Sequence, residues 1–180
     1  MTDIAAAIGL HQLRKADHLH QQRARVAKLY TERLADIDEL VLPQELANRI
    51  HSWHLYHIRL QVNKLSLDRS QFIAELKRAE IGASVHWMPL HMHPLYRERF
   101  GCQPADYPCA AEIYPQIVSL PIFPDMTTEQ VEYVSGTIKE IISRSRVRVQ
   151  GADLSGIRIG TPEFHQTQLA SSHSAKARAL

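Results

Sequence analysis

The sequence predicts an α/β protein: a long N-terminal helix, then a small domain in which a short sheet is covered on one face by helices. Three observations lead there. No proline occurs from Thr2 to Asp36, and apolar side chains recur across that stretch at helical spacing. Short branched and aromatic runs then alternate with capped helical patterns, and a few short strands separated by helices build a small sheet layered against them. Hydrophobic residues at 44% and charged residues at 22% of 180 allow one ordinary domain with a sizeable core, which speaks against a disordered or fibrous class.

Residues 1–36 read as one long helix, or two joined near Asp17, with Ile4, Ala7, Ile8, His11, Val26, Leu29, Tyr30 and Leu34 at helical spacing. Its opening, Ile4 to Ile8, is apolar on every side and rich in alanine, which suits close packing on protein beyond these residues and predicts a poorly soluble monomer. Residues 37–143 form the small α/β domain. Pro43 marks a loop, and "HSWHLYHIRLQ" reads as a strand with Trp53 and Leu55 on one side and Tyr56, Ile58 and Leu60 on the other. "DRSQFIAELKRAEIG" is a short helix: Asp68 caps it, Gln71 completes the capping box, Phe72, Ile73 and Leu76 form its stripe, and Gly82 follows its end. "ASVHW" is a second strand, from whose end the segment "HWMPLHMHPLY" departs. Asp106 caps a helix that runs through Pro108 to about Tyr114, and "QIVSLPIFP" is a third strand ended by proline. Thr127 and Gln130 make a capping box ahead of Val131, Val134, Ile138, Ile141 and Ile142. From 144 to 180 the composition shifts to Arg, Gly, Ser and Ala with only brief apolar pairs, and a largely disordered tail is predicted.

A formal net charge of +2 does not predict a nucleic-acid or membrane partner. Arg144, Arg146 and Arg148 could touch phosphate, but without interleaved aromatics they are a weak nucleic-acid signal. The two cysteines, Cys102 and Cys109, fit neither C-x-x-C nor a zinc-ribbon half-site, and Cys109 inside a helical turn suits a small buried thiol. "IAAAIGL" falls well short of the roughly 18 residues of a membrane span and lacks the basic start of a secretory signal. A reduced, cytoplasmic setting is the expectation.

The chemistry-bearing residues cluster between His86 and Tyr96. His86, His91 and His93 could ligate a transition metal through neutral imidazoles, yet no Cys ligand or H-E-x-x-H spacing accompanies them, which leaves a metal site as the minor reading. A pocket wall is the stronger one: His86 and His91 would offer a donor or acceptor to a polar substrate, and Trp87 and Tyr96 a ring face to a sugar or planar cofactor. Structural histidines remain the alternative for both. Neither cysteine lies in a nucleophile motif, there is no Gly-rich phosphate loop, and none of Lys15, Lys28, Lys64, Lys77, Lys139 and Lys176 has an apolar setting suited to Schiff-base chemistry.

Together "MTDIAAAIGLHQL", "LYTERL", "SWHLYHIRL", "GASVHWMPLHMHPLY", "YPCAAEIYPQIVSLPIFPDMT" and "EQVEYV" resemble, in order, the C-terminal part of the DegT/DnrJ/EryC1/StrS family of pyridoxal-phosphate-dependent sugar aminotransferases, over about Met1 to Ile142. The resemblance implies a fold-type-I aminotransferase, in which this portion supplies the long linking helix and the small aminotransferase-type domain. It implies amino transfer from a glutamate-like donor to a nucleotide-linked keto-sugar. In such enzymes the cofactor's lysine, the Asp paired with its ring nitrogen and the stacking aromatic lie in the large domain, and none of the three matches a residue here. No catalytic or cofactor-binding residue is therefore assigned. The sequence is expected to be the carboxyl half of such an enzyme, with pyridoxal phosphate in the complete protein, none on the isolated chain, and a large domain or homodimer partner required. By resemblance His86, His91 and Tyr96 line the sugar end of the cleft and orient substrate. A non-catalytic interaction module or remnant is the alternative.

Overall fold

The hydroxyl of Thr2 accepts from the N–H of Ala5 and starts one helix, α1 (Asp3–Leu34), which runs through Asp17 without a break. In this computed structural model, which describes residues 1–147, the rest of the chain follows as β1 (Leu40–Val41), β2 (Tyr56–Leu60), α2 (Arg69–Arg78), α3 (Pro94–Phe100), α4 (Pro108–Ile113), β3 (Ile117–Leu120) and α5 (Thr128–Ser145). The three strands form one antiparallel sheet in the order β1-β2-β3.

Strand alternation gives the sheet two unlike faces. Tyr56, Ile58 and Leu60 of β2 are fully buried, whereas His57 and Arg59 between them are half-buried and point the other way. The buried face meets the helices in one hydrophobic cluster: Val26, Tyr30 and Leu34 of α1, Phe72 and Leu76 of α2, and Val134, Ile138 and Ile142 of α5 join Val118 and Leu120 of β3. Polar ties fix the layers. Tyr30 donates its hydroxyl to the Pro121 carbonyl (3.0 Å), and burial raises its pKa well above the usual tyrosine range. Thr31 Oγ1 and Tyr56 Oη are 2.9 Å apart. Both capping boxes form as the sequence predicts, Asp68 with Gln71 and Thr127 with Gln130.

Several local expectations are corrected. Trp53 is not in an extended strand: its φ of 49° turns the chain, and its ring stacks 5.8 Å from Tyr56 in the same core. "ASVHW" makes no ladder strand, only a single bridge from Ser84 to Ser119. Glu80, with φ 57°, takes the left-handed position after α2, ahead of Gly82. Asp106 closes a 3-10 turn by accepting from the Gln103 N–H, and Tyr107 precedes α4 instead. Cys109 is exposed. Past Ser143 the chain stays tied to the domain through 147: Ser66 N–H donates to the Ser145 carbonyl (2.8 Å), Arg144 pairs with Glu75 and Arg146 with Glu39. The predicted tail from 148 to 180 lies outside the described residues.

Candidate functional site

The sheet's second face is polar where it matters. Ser84 and Ser119 exchange both backbone hydrogen bonds (3.1 and 2.8 Å), which docks the Ser84–His86 stretch along the free edge of β3. On the other side of β3, Ser119 stands opposite His57 of β2. Residues opposite one another across a ladder share a face, and His86, two residues beyond Ser84, continues the row. His86 Nδ1 lies 2.8 Å from Ser119 Oγ and 3.3 Å from Ser84 Oγ, and its ring meets His57 edge-on at 6.4 Å. Trp87 packs edge-on against the His86 ring at 4.4 Å but is otherwise exposed.

His57 Nε2 is buried without a partner among the described residues, and burial first, then the neighbouring His86 and His51, lower its pKa below the ordinary 6.5. The sign of the pH effect follows. Below about pH 6.5 the unfolded chain takes up a proton at this position before the folded one does, so stability falls with falling pH. His57→Gln should therefore flatten the acid side of the stability curve, measured as urea midpoints across the range where histidine titrates.

The three residues expected to line a cleft are not brought into one contact set. His91 sits in a 3-10 turn (Leu90–Met92) at 6% exposure, its ring stacked 4.6 Å from Tyr107 and its Nε2 without a partner among the described residues. Tyr96, in the first turn of α3, is half-buried and faces Phe100 at 5.7 Å. No hydrogen bond or ring contact among the described residues joins His86, His91 and Tyr96. Around them Trp87, Leu90, Leu95, Phe100 and Tyr107 expose an apolar surface, and aromatic residues of this kind suit contact with a ring or another protein surface. Sequence reasoning missed Ser119 and Tyr107, because their roles depend on pairing across 33 and 16 residues. The metal reading has no support: among the described residues no group of three His, Cys, Asp or Glu is placed to hold an ion, and His93 is exposed.

The described residues do not fit covalent attachment of pyridoxal phosphate either. Lys15, Lys28, Lys64 and Lys77 are exposed, and Lys139 is engaged with Asp36 at 2.9 Å. Lys176 is outside the described residues. No helix among the described residues is long and apolar enough to cross a membrane.

Known proteins match most of this chain. An uncharacterized protein of Methanocaldococcus jannaschii, MJ1066, is 42% identical over 146 residues, which are 81% of this chain and 38% of that one. The spore coat polysaccharide biosynthesis protein SpsC of Bacillus subtilis is 36% identical over 79% of this chain and 37% of its own. Among solved structures, the putative sugar aminotransferase Spr1654 of Streptococcus pneumoniae, known in apo, PMP and PLP forms, superposes with a TM-score of 0.69 at 29–30% identity, over 80% of this chain and 36% of that one. Helicobacter pylori PseC, an aminotransferase involved in the biosynthesis of pseudoaminic acid, gives 0.71 at 26% identity, over 80% of this chain and 38% of that one. The chain thus spans well under half the length of the relatives it matches. The family model covers residues 1–139, and the chain belongs to the DegT/DnrJ/EryC1/StrS aminotransferase family.

Proposed function

We propose that these residues are the C-terminal part of a pyridoxal-phosphate-dependent enzyme that transfers an amino group from a glutamate-like donor to a nucleotide-linked keto-sugar, and that the cofactor's lysine belongs to a large domain outside these residues. One observation carries the reading: relatives match about four fifths of this chain but under two fifths of their own length, while the lysines described here are placed for solvent and ion pairs. The sugar class is supported by the Bacillus polysaccharide protein and the Helicobacter pseudoaminic acid enzyme. The cofactor's electron sink carries the chemistry, and the contribution of this portion is orientation. His86 offers a ring nitrogen on the polar sheet face, His91 a buried unpartnered nitrogen, and Tyr96 a half-buried phenol, with no proton-transfer role assigned to any of them.

The 180-residue polypeptide, incubated with pyridoxal phosphate, glutamate and a nucleotide-linked keto-sugar, should give no turnover and no borohydride-trapped cofactor on its own lysines. Adding a relative's lysine-bearing large domain in trans should restore turnover, with the trapped label on that domain. Label on a lysine of this chain together with turnover would overturn the proposal. Stable association without turnover would favour a non-catalytic interaction module, a reading that the exposed apolar opening of α1 also accommodates.

A further inference from the structure

We infer that Ser119 is a positioning residue that fixes the tautomer of His86, so that the histidine presents an Nε2–H donor and selects an acceptor oxygen on the substrate. The inference rests on the substrate-facing reading of His86, but the tautomer itself can be measured without it.

The argument turns on a buried hydroxyl. Ser119 is only 3% exposed, and its Oγ has one hydrogen-bond partner among the described residues, His86 Nδ1 at 2.8 Å. A hydroxyl can donate one proton, and leaving that proton without an acceptor in a buried position is costly. The Ser119 O–H therefore donates to Nδ1. Ser84 Oγ, at 3.3 Å, belongs to an exposed residue that water can serve, so it does not compete for the same lone pair. His57, opposite Ser119 across the ladder, closes the inner side, and its own ring makes no hydrogen bond to Ser119. With Nδ1 held as an acceptor, the proton of the neutral imidazole resides on Nε2. That nitrogen has no hydrogen-bond partner among the described residues and is not among the buried orphan atoms, so it is free to meet a ligand.

A donor in this place discriminates chemically. It bonds a carbonyl, hydroxyl, carboxylate or phosphate oxygen and rejects a group that has only N–H to offer. The backbone bridge between Ser84 and Ser119 makes the device rigid, since the strand that supplies the hydroxyl also anchors the segment that supplies the ring.

Long-range proton–nitrogen spectra of the 15N-labelled 180-residue protein, recorded above the pH range of histidine titration, read the tautomer directly, and His86→Gln assigns the signal. Wild type should show a protonated Nε2 and an unprotonated Nδ1. The Nδ1-protonated fraction should be negligible in wild type, rise to that of an unrestrained histidine in Ser119→Ala, and stay negligible in Ser119→Thr. With a large domain supplied, Ser119→Ala should raise KM for the sugar roughly three- to tenfold, the loss expected for one misplaced hydrogen bond, with kcat less affected. A wild-type proton on Nδ1, or an unchanged tautomer in Ser119→Ala, would overturn the positioning role. The expected tautomers with an unchanged KM would instead overturn the placement of His86 against substrate.

Discussion

Phe72→Ala should cost about 3–5 kcal/mol of folding free energy, the range for emptying a fully buried aromatic site. Phe72 has no exposed surface and belongs to the core cluster, and its helix, α2, packs against both β3 and α5. The loss is a large share of a total that for ordinary domains is about 5–15 kcal/mol. A domain of this size should melt roughly 10 °C lower, measured by far-UV circular dichroism or calorimetry. Phe72→Leu, which refills most of the volume, should recover the greater part. An alanine variant within a degree or two of wild type would mean that α2 is not integral to the core, and that the sheet's buried face is closed by α1 and α5 alone.

What could be read ahead of the structure was local. The two capping boxes need only four consecutive residues each, and the Tyr56, Ile58, Leu60 alternation needs only five, so both were legible and both place the core correctly. Trp53 defeats the same reasoning because a single left-handed residue reverses the side to which an aromatic points, and its burial against Tyr56 is decided by tertiary packing. Cys109 misled for a related reason: a helix of six residues, Pro108–Ile113, has no fully buried side chain at all. The site was half legible. His86 stands out as a polar residue at the end of an extended run, but the partner that gives it a defined orientation lies 33 residues on, in a strand whose register no single sequence reveals.

The first turns of α1 should account for assembly with the proposed large domain, and they should do so from two sides. Ile4, Ile8, Leu10 and Leu13 are each more than half exposed, and residues 1–18 touch the described domain nowhere closely enough to be covered. At about 100° per residue, Ile4 and Ile8 lie some 40° apart, Leu10 and Leu13 some 60° apart, and the two pairs face in roughly opposite directions. A flat partner could cover only one pair, so the helix is built to lie in a cleft or between two surfaces. Burying one such side chain is worth about 1.5–3 kcal/mol, so changing either pair to lysine should weaken association with a large domain on the order of a hundredfold, after allowance for imperfect conversion of area to affinity. Ile4→Lys with Ile8→Lys, and separately Leu10→Lys with Leu13→Lys, should each also shift sedimentation toward the monomer, while urea midpoints measured at concentrations where wild type is monomeric stay unchanged. If only one pair weakens binding, the helix lies on a surface and not within a cleft. If neither does, the contact runs instead through the exposed rings of Trp87, Phe100 and Tyr107, and the opening helix is no part of it.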